Sequence, residues 1–148
     1  MKIRVELDSD LAEVEIVIRA ARFDAQLEQI QQALEQATAP PIIFYKGVSE
    51  YFLDIDNILF FETDGGKIFA HAREDAYEVK FKLYELEDRL PYYFCRISKS
   101  SIINSKAIYS LEKSFSGSSS VRFYDTHKEV YVSRHYYQIL KEKLNETR

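Results

Sequence analysis

Residues 94–108 read FCRISKSSIINSKAI, and the reading of this stretch decides what kind of molecule the chain builds. Phe94, Cys95 and Ile97 on one side, and Ile102 and Ile103 on the other, bracket an island of Arg96, Ser98, Lys99, Ser100 and Ser101. Apolar runs this short suit half-buried strands rather than helices. An island of hydroxyls and cations between them is either a solvated connecting loop or a surface that something outside the fold meets. Three observations favour a partner, and they point to an anion. No acidic residue occurs from Pro91 to Leu111. Serine hydroxyls with Arg and Lys are the donors that contact phosphate oxygens. A second cluster, Ser133, Arg134 and His135 in VSRHYY, falls at a strand-to-helix junction, where free amides also attract phosphate.

Working outward, short runs of the same character recur: IIFYK, EYFLD, ILFFET, KIFAHA, YEVKF, YYFCRI, AIYSLEK, VRFYD and EVYVS. Ile, Val, Phe and Tyr dominate them, as pleated surfaces prefer. Asp64-Gly65-Gly66 between two of them is a hairpin-turn signal, and SFSGSSSV around Gly117 is a looser one. Many short strands joined by turns predict a mainly β antiparallel sandwich or barrel, α+β overall. Two helices interrupt it. Leu83, Leu86 and Leu90 form a stripe stopped by Pro91; at the end Ser133 is placed to cap a helix burying Tyr136, Ile139, Leu140 and Leu144.

The first 40 residues differ. Ile3, Val5 and Leu7 alternate with polar residues, as do Val14, Ile16 and Ile18, which predicts two strands around Ser9-Asp10. Asp24 then caps a helix with Leu27, Ile30, Leu34 and Ala37 on one face, ended by Pro40-Pro41. The expected division is a β-β-α extension over residues 1–40 and a β module over 41–148.

Charge supports the same division of labour. The net charge of −4 is the average of two unlike parts. Residues 1–88 hold 9 Lys and Arg against 19 Asp and Glu, a balance of −10; residues 89–148 hold 11 against 5, a balance of +6. Because fields near a surface are local, the later part is the one suited to a polyanion. At 148 residues with 46% hydrophobic content the chain can bury a real core. It shows no apolar run long enough to span a membrane and no secretion signal, and its single cysteine forms no internal disulfide, which fits a cytoplasmic protein.

Catalytic and metal chemistry lack the residues they need. His71, His127 and His135 show no zinc-like spacing, and Cys95 sits in an apolar run as a core residue would. Asp54 and Asp56 belong to a turn, and no phosphate-cradling glycine loop occurs. The expectation is a protein that is not an enzyme, with no metal, no cofactor and no small-molecule substrate.

The segments DNILFFETDGGKIFAHA, YEVKFKLYELEDRL, YFCRISKSSIINSKAIYSLE and VYVSRHYYQILKEKL resemble, in order and spacing, the LytTR family of bacterial DNA-binding domains. The resemblance runs from about Ile42 to Leu144, and its most specific parts are Phe94 to Asn104 and Val132 to Arg134. It implies an antiparallel multi-sheet module of about ten strands in three sheets. It also implies that connecting loops enter successive major grooves of a bent duplex, commonly as two copies on paired direct repeats. The implied contact residues are Lys67 in the glycine turn, Arg96, Ser98, Lys99, Ser100 and Ser101, and Ser133, Arg134 and His135. Lys99, Arg134 and His135 are assigned to base edges or nearby phosphates, Arg96, Ser98 and Ser100 to holding the DNA backbone or shaping the loop, and Asn104 to structure. The glycine turn departs from relatives with a larger polar residue there, which removes a base contact from it.

The leading expectation is a transcriptional regulator that binds double-stranded DNA, as a homodimer on its site. Small stand-alone members of the family are often restrained by a membrane protein, so control through a partner is expected as well. The 1–40 extension then serves interaction or dimerisation, or else packs on the β module and completes its core. Two other classes stand beside this reading: a protein-interaction (anti-activator) module acting without DNA, and an RNA or single-strand binder using some of the eleven tyrosines as stacking platforms.

Overall fold

The computed structural model describes residues 1–38 and 41–147. Ala39 and Pro40, where the sequence places the helix stop and the division between the two parts, lie outside the described residues. The first helix, α1 (Ala25–Thr38), begins as expected: Asp24 Oδ1 accepts from the Leu27 amide at 2.9 Å. Leu27, Ile30 and Leu34 are half-buried, whereas Ala37 is exposed. The two strands expected before it do not form. Residues 1–26 are exposed throughout, and no strand pairing among the described residues precedes Phe44. Alternation alone makes an extended segment; without a third strand or a covering layer a two-stranded ribbon is marginal in water.

Ten strands follow, the number the resemblance implied. They are β1 (Phe44–Lys46), β2 (Ser49–Tyr51), β3 (Phe60–Asp64), β4 (Lys67–His71), β5 (Ala76–Val79), β6 (Phe94–Ser98), β7 (Ser101–Asn104), β8 (Ile108–Glu112), β9 (Ser119–Phe123) and β10 (Glu129–Val132). Strand pairing joins them into two antiparallel sheets rather than three, in the orders β2-β1-β5-β4-β3-β7-β6 and β10-β9-β8. The larger sheet is continuous because β3 pairs with both β4 and β7, and because Tyr45 meets Glu78 between β1 and β5.

Both faces of the larger sheet are covered. Ile58, Phe61, Phe94 and Ile102 point to one core, which α2 (Leu83–Arg89) closes with Leu83 and Leu86, joined by Leu90 just beyond it. Leu59, Phe60, Cys95, Ile97 and Ile103 point to the other, closed by β8–β10 and by α3 (Arg134–Thr147). Within the strands neighbouring residues thus enter opposite cores, Phe60 and Phe61, Phe94 and Cys95, Ile102 and Ile103, as the pleat requires, whereas Leu59, just before β3, shares the core of Phe60. This is why ILFF and SIIN read as unbroken apolar runs, as strands buried on both faces do. On α3, Leu140 is fully buried and Tyr136, Tyr137 and Leu144 pack beside it. Ile139, expected on that face, is 45% exposed, since Tyr137 takes the flank of a stripe spaced 136, 140, 144.

Asn104 is the polar residue that this arrangement had to satisfy. It is 1% exposed, donates from Nδ2 to the Ile58 carbonyl at 3.0 Å and accepts from the Lys106 amide at 3.0 Å. It ties the end of β7 to the entry of β3, beneath the polar island.

Candidate nucleic-acid interface

The island of residues 98–101 is the tip of a tight hairpin between β6 and β7, with Ser98 paired to Ser101 and Lys99-Ser100 at the turn. The register shifts between Arg96 and Ser98, a bulge that turns the Arg96 side chain back on the hairpin. Its Nε donates to the Ser98 carbonyl at 2.8 Å, one terminal nitrogen donates to the Lys99 carbonyl, and the other meets Glu87 Oε1 at 2.9 Å. Ser98 Oγ accepts from the Ser100 amide at 3.2 Å. Arg96 and Ser98 are therefore occupied in shaping the turn together with the exposed Ser100, while Lys99 points its side chain to solvent.

The glycine turn lies beside it. Asp64 pairs with Lys67 across Gly65 and Gly66, whose φ values of 60° and 80° are those a type I′ turn requires. The Thr63 amide donates to the Ser100 carbonyl at 2.8 Å, so the two hairpins emerge side by side from one end of the sheet. Between them, β5 and the start of α2 leaves an open cleft of about 540 Å³ lined by Lys67, Lys80, Lys82, Arg96 and Lys99, with Glu78 as the acidic member. Lys67 approaches Glu78 only to 3.9 Å and its side chain is 62% exposed. Lys80 and Lys82 were not singled out from the sequence. Their signal was present in YEVKFK, where two cations flank Phe81 immediately before a helix start, but only the pairing of Ile68 with Val79 brings them to the glycine turn.

The third segment joins from the opposite flank. The Ser133 amide donates to the Ile97 carbonyl at 2.9 Å, which seats the β10–α3 junction against the bulge of β6. Arg134 and His135 are the first two residues of α3 and both are exposed. Ser133 does not cap the helix with its side chain as expected: its Oγ is buried without a hydrogen-bond partner, and toward the helix its carbonyl is engaged instead, accepting from the Tyr136 amide at 3.1 Å. The Ser133 hydroxyl thus takes none of the first-turn amides of α3, and its carbonyl takes that of Tyr136. Lys67, Arg96 and Lys99 share one cleft, and Ser133, Arg134 and His135 lie on the other side of the same hairpin.

Other conspicuous groups serve the fold. Cys95 is buried and its thiol is pushed up to about 11 by that burial, so it stays protonated at neutral pH. His71 stacks on Phe60 at 4.3 Å, meets Glu62 at 2.7 Å, and has Lys128 Nζ 3.3 Å from Nδ1. The His71 pKa is lowered, by burial first and by Lys128 as well, against the opposing pull of the Glu62 carboxylate. Lys128 itself donates to the carbonyls of Ala72 and Asp75 at 2.7 and 3.0 Å, tying the β9–β10 connection to the β4–β5 turn. Among the described residues no helix is long and apolar enough to cross a membrane.

Exposed cations of three strand connections thus stand at one end of the larger sheet. Residues 49–145 match the family model described as the LytTr DNA-binding domain, and the chain belongs to the LytTR family. Its fold is similar to that of a solved LytTr DNA-binding domain from Bacillus cereus, with a TM-score of 0.64 at 20% identity over 72% of this chain and 98% of that one. Two uncharacterized HTH-type transcriptional regulators of Staphylococcus aureus, from strains bovine RF122 / ET3-1 and NCTC 8325 / PS 47, are 28% and 27% identical over 98% of this chain and 99% of their own length. Those names carry a helix-turn-helix label, yet strands separate all three α-helices described here.

Proposed function

We propose that the chain is a transcriptional regulator that binds double-stranded DNA sequence-specifically through the three connections at one end of its larger sheet. The observation that carries this is the pair of backbone hydrogen bonds, Thr63 to Ser100 and Ser133 to Ile97, that sets the three segments side by side. The names of the Staphylococcus aureus relatives support the regulatory part. Lys99, Arg134 and His135 address base edges or adjacent phosphates in successive major grooves. Lys67 reaches phosphate, joined by Lys80 and Lys82; Arg96, Ser98, Ser100 and Ser101 hold the hairpin, and Ser133 seats the helix end. Two copies occupy paired direct repeats, residues 1–40 act as the interaction element, and residues 41–148 bind DNA. A chromosomal target places this action in the cytoplasm.

A gel-shift titration with the chain's own upstream region tests the reading. If each of the five exposed cations Lys67, Lys80, Lys82, Lys99 and Arg134 meets a phosphate, log K falls by about 4–5 per decade of salt. Direct and inverted arrangements of the half-site then report orientation, and co-expression with a neighbouring membrane protein reports restraint. Absence of any shift at low salt overturns the reading and leaves the anti-activator module, which the exposed apolar residues before α1 favour. Preference for single strands would select the stacking alternative.

A further inference from the structure

Residues 1–26 lie exposed, yet they are not composed like a solvated tail. Ile3, Val5 and Leu7 are 83%, 79% and 96% exposed, and Val14, Ile16 and Ile18 are 90%, 57% and 40% exposed. Their neighbours alternate with them: Arg4 and Glu6 lie side by side at 3.0 Å, so the polar residues share one face and the apolar residues the other. A turn separates the two segments, the Leu11 amide donating to the Asp8 carbonyl at 3.3 Å.

The order of charges says what covers them. From residue 2 to 8 the polar face reads Lys2, Arg4, Glu6, Asp8; from 13 to 19 it reads Glu13, Glu15, Val17, Arg19. Folding the segments on each other with Ile3 opposite Ile18, Val5 opposite Ile16 and Leu7 opposite Val14 sets Lys2 against Arg19, Glu6 against Glu15 and Asp8 against Glu13. Like charges directly opposite destabilise a sheet. Sliding by two residues to the register of the 8–11 turn gains Arg4 against Glu15, but it sets Glu6 against Glu13, reduces one apolar pair to Leu7 with Ala12 and leaves Ile18 without a partner in residues 2–8; sliding the other way sets Arg4 against Arg19 and Asp8 against Glu15. Parallel pairing is out of reach of so short a connection.

Against a second copy, the same residues are complementary. Antiparallel pairing of residues 2–8 about Val5 sets Lys2 opposite Asp8, Ile3 opposite Leu7 and Arg4 opposite Glu6. Pairing of 13–19 about Ile16 sets Glu13 opposite Arg19 and Val14 opposite Ile18. One two-fold axis serves both ribbons, and their apolar faces then cover each other. We propose that residues 2–8 and 13–19 form an antiparallel two-fold seam with the same residues of a second copy, so that the chain is a dimer before it meets DNA. This deepens the reading of the chain as a regulator on paired half-sites, because tethering makes the second binding event intramolecular.

The test uses no DNA, so its failure is distinct from failure of the DNA-binding reading. Sedimentation equilibrium of the full chain should give twice the chain mass. Arg4→Glu sets acid against acid twice and should weaken the dimer at least ~tenfold, with the β module's melting unchanged. Adding Glu6→Arg restores opposite charges and should restore the dimer. Val5→Cys should oxidise to a disulfide-linked dimer, since residues directly opposite in antiparallel strands lie about 4.5–5.5 Å apart. Leu7→Cys, which faces Ile3 of the second copy, should not, and the buried Cys95 supplies no competing thiol. A monomer at every concentration, a dimer indifferent to Arg4→Glu, no rescue by the double variant, or equal crosslinking at 5 and 7 each overturns the proposal.

Discussion

Arg96→Ala separates a residue that shapes the contact hairpin from one that touches DNA. The guanidinium holds the carbonyls of Ser98 and Lys99 and is itself matched by Glu87. Charge-assisted hydrogen bonds contribute ~1.5–3 kcal/mol each when sheltered. This side chain is 23% exposed, and both freed carbonyls gain access to water, so a net loss of about 1–2 kcal/mol is expected. For a chain of this size that corresponds to a fall in melting temperature of about 2–8 °C. Binding should weaken on the order of tenfold, the ~1–2 kcal/mol needed to re-order one residue of the turn on the duplex. The slope of log K against log salt should not change, because Arg96 already has its anion in Glu87. Lys99→Ala should do the reverse: stability within ~0.5 kcal/mol of the parent, and a slope shallower by about 0.9. Fluorescence-anisotropy titrations at four salt concentrations, beside thermal melts, measure all four quantities. An Arg96→Ala variant with intact stability and a shallower slope would refute the assignment and move that side chain onto a phosphate.

Three further outcomes follow from the geometry. Arg134→Ala should cost about 1–3 kcal/mol of discrimination between operator and unrelated duplex while leaving the melt unchanged; a large stability loss would assign Arg134 to the fold. Asn104→Ala leaves the buried Ile58 carbonyl unpaired, so urea denaturation should show a loss of about 2–4 kcal/mol, and a loss under 1 kcal/mol would mean water replaces the amide. Because burial lowers the His71 pKa below its unfolded value of about 6.5, the unfolded chain binds the extra proton. Stability is then complete above that value and declines as pH falls below it toward the folded pKa. His71→Gln should flatten the urea midpoint between pH 6.5 and 5.5, and a persisting slope there would assign the titration elsewhere.

The local grammar of the chain was legible in advance because its causes are local. Asp24 caps α1 and Gly65-Gly66 forms the turn because the required conformations belong to those residues, whatever surrounds them. Leu83, Leu86 and Leu90 announced α2, and Phe94, Cys95 and Ile97 announced β6. The charge contrast between the two parts and the basic island were likewise written in order along the chain. Ser101–Asn104 was harder: β7 is buried on both faces and only four residues long, so no alternation marked it as a strand. Ile139 and Tyr137 were exchanged because neighbouring positions on a helix differ by 100°, and only the packing of α3 on β6 fixed which one faced inward.

What the sequence determined by itself was the kind of parts: short strands, two glycine-marked turns, three helices and a stretch of donors without acids. What only the tertiary structure decided was adjacency. Lys67, Lys80, Lys82 and Lys99 are dispersed along the chain, and nothing in their spacing says that β3 lies between β4 and β7. That order follows from burying two apolar faces at once, a condition on the whole molecule. The segments before α1 mark the same limit from the other side. Alternation predicted strands, but a strand needs a neighbour, and among the described residues none pairs with those segments.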